Sequence, residues 1–332
     1  MVITEERPLV PRRGRSRVLS VGCWLLVLPF VAFTVVRLFG LDRGFPLVQL
    51  LAFTPYVALA SLVPLVVAGL TRRLWPAVAA TVVVLVLAAC VLPRWLSSSN
   101  PPGATGPELR VLTVNLLVGG ASAADVVALV RAERVDLVAF QEYTPQARTA
   151  LEQAGLRDTL PNQVAYPVPG VGGSALYSRF PLSDGGFRVH GSGFGQAMAT
   201  LAVPGSAPIQ VESVHPCAPS GPERSSCWRA DLADQPPATA NGPIRLLIGD
   251  FNATLDHSAL RRLIGTGYRD AANVVGAGFT ATWPYDEKWY IPGVAVDHVL
   301  ADQRVAVRLV SAHRLPRADH RALFATLQLP PG

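Results

Sequence analysis

Three uncharged apolar runs fill most of the first hundred residues, and they constrain this chain more than any other feature. They are Val18–Val36, Pro46–Leu70 and Leu74–Pro93, of nineteen, twenty-five and twenty residues. A helix needs about 20 apolar residues to cross a hydrocarbon core about 30 Å thick. Three such runs in succession predict a three-helix membrane anchor over residues 18–93. Pro29, Pro55 and Pro64 fall inside the runs, and membrane helices tolerate proline better than soluble ones do. The competing reading of the first run is a cleavable signal peptide, with Arg12, Arg13, Arg15 and Arg17 as its basic region. That run is long, no clear A-x-A site follows it, and two further runs come next.

The net charge of +6 invites a nucleic-acid reading until its distribution is examined. Residues 1–100 hold ten arginines and three acids, whereas residues 101–332 hold nineteen basic and twenty acidic groups. The excess is therefore confined to the apolar region, where it sets orientation. Five arginines precede the first run, and Arg72-Arg73 separates the second from the third. The positive-inside rule puts residues 1–17 and the Arg72-Arg73 loop in the cytoplasm. Three crossings then leave the chain after Pro93 outside, and two would leave it inside. Lys288 is the only lysine. With the abundant Ala, Val, Arg and Pro, that suggests a GC-rich, bacterial genome.

Residues 94–108 read as a linker. Within it, Ser97–Pro107 (SSSNPPGATGP) has the composition of a flexible polar tether. Of four cysteines, Cys23 and Cys90 lie in apolar runs and read as small hydrophobes. Cys217 and Cys227 are a disulfide candidate, with two free thiols as the alternative. A bond there would persist only in an oxidising compartment, in agreement with an outside location.

From Leu109 the pattern changes to short apolar strands alternating with helices. Leu109–Asn115, a helix from Ser122 to about Glu133, and Asp136–Glu142 form a βαβ unit. Thr144-Pro145 starts a second helix, a capping residue followed by Pro at the first position. Further strands are expected at Gly173–Ser178, Ala199–Val203, Ile209–His215, Ile244–Asp250, Val294–Leu300, Val305–Val310 and Ala322–Leu327. The polar residues of interest recur at strand ends or in the loops beside them: Asn115, Glu142, His215, Asp250, Asn252, Asp297, Asp319 and His320. Such residues can converge on one rim of a sheet scaffold.

These stretches resemble the endonuclease/exonuclease/phosphatase superfamily, which contains DNase I-like nucleases, inositol phosphatases and bacterial sphingomyelinases. The resemblance is carried by VLTVN (111–115), LVAFQE (137–142), ALYSRFPL (175–182), VESVHP (211–216), LLIGDFNAT (246–254), TWP (282–284), VDHVLAD (296–302) and ADHRAL (318–323). The stretches stand in the superfamily's order and cover residues 109–328, so residues 109–332 are expected to be a catalytic domain. The resemblance implies an α/β four-layer sandwich, α/β/β/α, built from two facing mixed sheets.

It also implies roles. Phosphoester hydrolysis needs a hard cation, an activated water and groups that stabilise the transition state. Glu142 stands at the superfamily's metal-binding glutamate, with Asn115 and Asp319 supporting the metal directly or through water. Mg²⁺, or Mn²⁺ in its place, suits oxygen ligands of this kind. Asp250 accepts a proton from the attacking water and Asn252 orients that water or the phosphate. An Asx turn is the alternative use of GDFN. His320 pairs with Asp297, and His215 contacts the phosphate or protonates the leaving group. His298 should point to the opposite face of its strand and be structural. His190, His257 and His313 read as surface or packing residues. No zinc pattern, P-loop or Gly-x-Ser-x-Gly elbow is present.

A nuclease should offer a basic track, and residues 101–332 carry only Arg261-Arg262 and Arg314, Arg317 and Arg321 as clusters. The favoured partners are therefore the bilayer and a phosphorylated lipid or other envelope phosphoester, with nucleic acid not favoured. Trp283, Trp289 and Tyr290 either touch a lipid headgroup or belong to the core. Three runs followed by such a domain also resemble actinobacterial VanJ-type membrane proteins associated with glycopeptide (teicoplanin-class) resistance, which implies a lipid-linked cell-wall substrate. The leading expectation is a membrane-anchored, extracytoplasmic, metal-dependent phosphoesterase. Its rivals are a surface nuclease, a sphingomyelinase or phospholipase-type phosphodiesterase, and an inactive domain that binds a phosphorylated envelope ligand.

Overall fold

Ser16–Phe39 and Leu74–Trp95 form helices long and apolar enough to cross a membrane, and Thr54–Leu70 is a shorter apolar helical segment. They belong to a computed structural model that describes residues 12–285 and 290–332. The chain divides into two compact units: the residues up to Leu41 with Thr54–Val91, and Asp42–Phe53 with Leu92–Gly332. Arg7 and Trp289, and the side chains of Arg12, Arg13 and Arg15, lie outside the described residues.

The first unit contains α1 (Arg12–Phe39). After α2 (Leu47–Leu51), which belongs to the second unit, it continues with α3 (Thr54–Ala60), α4 (Leu62–Leu70) and α5 (Leu74–Val91). Val18, Leu25, Leu59, Val63, Val82 and Leu85 are exposed along these helices, whereas a soluble protein's helix buries its apolar stripe. The run Pro46–Leu70 is not the single helix its composition predicts. It breaks near Ser61, because Pro64 has no N–H for the Ala60 carbonyl. Its first eight residues leave the helical unit altogether, which reduces the expected second span to Thr54–Leu70. Among the described residues, two helices meet the length criterion rather than three.

The second unit holds two six-stranded mixed sheets. One runs through β1 (Glu108–Asn115), β2 (Leu137–Gln141), β3 (Asn162–Tyr166), β4 (Ser174–Ser178), β11 (Ala306–His313) and β12 (Ala322–Gln328), in the order β11-β12-β1-β2-β4-β3. The other comprises β5 (Leu182–Val189), β6 (Gly195–Leu201), β7 (Ile209–Val214), β8 (Ile244–Asp250), β9 (Tyr268–Asp270) and β10 (Asp297–Asp302), in the order β5-β6-β7-β8-β10-β9. β1 with β2 and β7 with β8 are the parallel pairs. With α2, six further described helices complete the unit: α6 (Ala123–Ala132), α7 (Pro145–Gln153), α8 (Leu156–Thr159), α9 (Arg224–Ala233), α10 (Ser258–Ile264) and α11 (Ala271–Val274).

The period of two along each strand sorts the side chains into layers. Leu109, Val111, Leu137 and Ala139 meet Val211, Leu246, Ile248 and Val299 in the core between the sheets. Leu112, Val114 and Val138 face the other way, onto Val126 and Val130 of α6 and Leu151 of α7. Val214, Leu247 and Leu300 pack on Trp228 of α9 and Leu260 of α10. The expected four-layer α/β/β/α sandwich is the observed one. Thr144 caps α7 as its sequence predicts, its side chain accepting from the Ala147 N–H. Unexpected from sequence were β3, β5 and β9. β5 reads LSDGGFRV, whose Asp-Gly-Gly marks a bulge (a register shift between Ser183 and Gly186) within a strand.

The linker is not the flexible tether its composition suggests. Ser97 bridges Val275, and the Ser98 N–H donates to the Val274 carbonyl. Asn100 exchanges two 2.9 Å bonds with the Val307 backbone. Gly106 and Pro107 pair with Leu329. Backbone pairing holds most of the segment, and the Asn100 side chain stands in for one rung of a ladder. Arg94 anchors its start, giving two bonds to Asp256 at 2.9 and 2.6 Å, with both residues buried. Removing one partner of a buried pair strands the other charge, at a cost of about 3–5 kcal/mol. Arg94→Met should therefore lower the melting temperature far more than an exposed-pair variant such as Arg131→Met, as calorimetry would measure.

Candidate active site

The alternation that builds the inter-sheet core also builds its end. Val111 and Thr113 lead to Asn115, Ile248 leads to Asp250, Val211 and Ser213 lead to His215, and Val299 leads back to Asp297. Each polar residue keeps the inward phase of its strand but sits where the apolar pairs stop. Beneath them a polar layer already crosses between the sheets. Thr113 donates to Gln141 Oε1 at 3.0 Å, and Gln141 donates to Ser213 Oγ at 3.0 Å.

Asn115 Nδ2 donates to Glu142 Oε1 at 3.2 Å and to Asp250 Oδ2 at 3.1 Å, and Asn115 Oδ1 accepts from the Leu117 N–H. One amide thus ties a carboxylate of each sheet together. The Val118 N–H donates to Glu142 Oε2 at 2.7 Å. Glu142, Leu117 and Val118 all have left-handed backbones, with φ of 55°, 48° and 52°. That conformation is costly for a β-branched valine, and such strain collects at functional sites.

In the GDFN stretch, a Cβ on Gly249 would lie 2.0 Å from the Val214 carbonyl oxygen, so only glycine fits beside β7. Asp250 Oδ1 accepts from the Asn252 N–H at 2.8 Å. Asn252 is left-handed, φ 49°, and its amide donates to the Pro216 carbonyl at 3.2 Å. GDFN therefore makes the Asx turn and contributes to the polar cluster at once.

His320 stands between two carboxylates. Its Nδ1 is 2.9 Å from Asp297 Oδ2 and its Nε2 is 3.6 Å from Asp250 Oδ2. Burial alone would lower its pKa, but Asp297 and Asp250 outweigh burial and push it up to about 10. The ring is an imidazolium at neutral pH. Thr282 Oγ accepts from the Val296 and Asp297 N–H groups, fixing the start of β10. Burial raises the carboxyls of Asp250 and Glu142, and for Glu142 the neighbouring Asp319 adds to the effect. His215 is buried 3.8 Å from Asp250 Oδ2, and burial lowers its pKa. Trp283 Nε1 donates to Asp319 Oδ2 at 3.4 Å.

All eight residues expected at the site therefore converge, and Cys217 and Cys227 are bonded to each other. The Cys217 N–H also donates to Asp231, so α9 braces the loop after His215. The residues fit a divalent cation by their donor chemistry, because four carboxylates gather around one imidazolium. Asp250, Asp297 and His320 have ligand-type atoms all within 4.8 Å of one another. His320 already faces both of those aspartates, so the more open carboxylates of Glu142 and Asp319 are the better ligands. Asn115 presents its NH₂ to the carboxylates and so positions them. Sequence reading missed Thr282 and the polar layer of Gln141 and Ser213, whose partners lie on distant strands. It also missed Asp42, Val48 and Gln49, which contact the loops around α10 and Pro219.

A sandwich of two mixed sheets with carboxylates, amides and histidines at one end of its core is the architecture of metal-using phosphoesterases. Residues 112–320 match the Endonuclease/Exonuclease/phosphatase family, and the chain belongs to that family. Members are phosphoester-hydrolysing enzymes that generally use divalent metals. Solved structures agree on the fold. An endonuclease/exonuclease/phosphatase from Beutenbergia cavernae is 17% identical, with a TM-score of 0.52 over 67% of this chain and 72% of its own. D. rerio TDP2 complexed with a single-strand DNA product is 15% identical, with a TM-score of 0.51 over 66% of this chain and 98% of its own. No curated protein sequence matches the chain.

His298, beside Asp297, faces the other side of β10, as its position in the strand predicts. Its Nδ1 is 2.8 Å from Asp270 Oδ2 and its Nε2 is 2.8 Å from the Ala253 carbonyl. Two acceptors require two ring protons. Burial would lower its pKa, but Asp270 and the Ala253 carbonyl raise it above the ordinary 6.5. A histidine raised on folding stabilises fully below its unfolded pKa, and that contribution is lost as pH rises through the folded value. Asp270→Asn should thus cost most stability below about pH 6, with the gap narrowing as pH rises. Denaturant titrations across pH check this, and a constant gap would refute the charged ring.

Proposed function

We propose that this protein is a membrane-anchored, Mg²⁺-dependent phosphoesterase that works outside the cytoplasm on a membrane-proximal phosphoester or pyrophosphate, such as a lipid-linked envelope intermediate. One observation carries the chemistry: Asn115, Glu142, Asp250, Asp297, Asp319 and His320 meet at one end of the inter-sheet core. Glu142 and Asp319 would hold the cation, which when bound neutralises phosphate oxygens and stabilises the developing charge. Asp250, made more basic by burial, takes a proton from the attacking water while Asn252 orients it. The water oxygen bonds to phosphorus, the ester bond breaks, and the leaving oxygen gains a proton. His215 lies beside Asp250 as a second phosphate contact, and water supplies that proton. The His320 imidazolium, held by Asp297, draws the phosphate in and steadies the transition state.

The topology is supported by how Asp42–Phe53 packs. The segment is built into the same unit as Leu92–Gly332, so both ends of the stretch between them must lie on one side of a bilayer. That requires an even number of crossings between residues 53 and 92. On this reading Leu74–Trp95 supplies one, and the shorter apolar segment Thr54–Leu70 the other. With α1 as a third crossing, the positive-inside rule would put the arginine-rich N-terminus and the Arg72-Arg73 loop in the cytoplasm.

Asp250→Asn and His320→Gln should each lower kcat/KM about 10²–10⁴-fold, and EDTA should abolish turnover. Assays of the detergent-solubilised full chain on polyprenyl pyrophosphate, sphingomyelin and plasmid DNA would measure this. Unchanged turnover in Asp250→Asn would overturn the mechanism, and turnover of DNA alone would overturn the lipid reading. For the topology, a reporter fused after Gly332 should be active outside the cytoplasm. Activity only inside would refute the three crossings.

A further inference from the structure

The segment Asp42–Phe53 separates two apolar helices in sequence, yet four polar contacts lock it to the catalytic domain. Asp42 Oδ2 accepts from the Ser258 N–H at 2.8 Å, and Arg229 donates to the Asp42 carbonyl. Gln49 donates to the Pro219 carbonyl. His257 accepts from the Thr254 N–H on Nδ1 and therefore donates from Nε2 to the Val48 carbonyl, 2.7 Å away. Asp42, His257 and Val48 are fully buried or nearly so, and Val48 joins the apolar cluster of Trp228, Leu247 and Leu260. This is a built-in part of the domain.

What the segment encloses gives it a function. A cavity of about 340 Å³ lies between Val48, Ala52 and Phe53 of the segment and Trp283, Val294 and Val296 of the domain. Its walls are apolar almost throughout. Asn252 and His320 also line it, so it opens on the groups assigned above to water and phosphate. The side chains of Val48, Ala52, Phe53, Ile291, Val294 and Val296 suit a hydrocarbon chain, which a soluble phosphomonoester lacks. The volume is near the lower end of the range of about 300–1,000 Å³ typical of small-ligand pockets, enough for part of one chain rather than a two-chain lipid. Phe53 is followed directly by Thr54, the first residue of α3.

We infer that Asp42–Phe53 is a wall of the substrate site and that its cavity takes the hydrocarbon chain of a single-chain lipid phosphate, with the phosphate at His320. The inference rests on the phosphoesterase reading and assigns specificity to a segment that lies between apolar helices in sequence rather than to the catalytic motifs.

Farnesyl pyrophosphate and dimethylallyl pyrophosphate differ only in the chain, so their kcat/KM ratio, measured on the full chain with Mg²⁺, reads the cavity. The longer substrate should be favoured at least about tenfold. Ala52→Trp fills the cavity and Phe53→Asp charges it, and each should bring the ratio towards one. Melting temperatures identify any variant that fails to fold, in which case the other carries the test. A benzophenone-bearing farnesyl pyrophosphate analogue should cross-link to the peptide containing residues 42–53. Equal kcat/KM for both substrates, or cross-linking elsewhere only, overturns the inference while leaving the phosphoesterase reading intact. Cross-linking to residues 42–53 without any Mg²⁺-dependent turnover supports the cavity and overturns the hydrolytic reading instead.

Discussion

One apolar core, shared by two facing sheets, sets everything else in the catalytic unit. Each inner strand must keep its hydrophobic phase to fill that core, so whatever stands at the next inward position is delivered to its end. Ile248 cannot face Val111 and Val299 without aiming Asp250 at the space beside Asn115 and Asp297. Four buried or half-buried carboxylates are tolerable there because an imidazolium and a bridging amide lie among them. Burial raises Asp250 and Glu142, and the same burial brings His320 close enough to its carboxylates to stay charged. Core and site are two ends of one packing arrangement.

Much of this could be read in the chain. Residues at strand ends carried the chemistry, since a strand's phase is visible as alternation and its end as a polar residue followed by a turn. His298 illustrates how far phase alone reaches: being adjacent to Asp297 sends it to the opposite face, where it meets Asp270 and Ala253. Cys217 and Cys227 were legible as a pair because no other cysteines lie in the soluble part.

What could not be read depended on partners remote in sequence. Ser97–Pro107 has the composition of a tether, yet Asn100 and Gly106 find backbone partners in Val307 and Leu329, more than two hundred residues away. Pro46–Phe53 is apolar enough to extend a membrane helix. Its place was decided by His257, which bonds the Val48 carbonyl, and by Pro219 and Ser258, which bond the side chains of Gln49 and Asp42. Hydropathy records the cost of exposing a residue to water. It does not record which surface covers it.

The docking of Asp42–Phe53 also bears on whether this domain can be shed. A protease cutting just before Leu92 would release a chain containing every residue of the catalytic cluster. That fragment would leave behind Val48, the partner of His257, and the carboxylate that meets the Ser258 N–H. The enzyme surface would come away with a missing wall and newly exposed polar groups. Covalent continuity with residues 42–53 is then a condition of the domain's integrity, and a domain cut free of that segment would require a different sequence around α10.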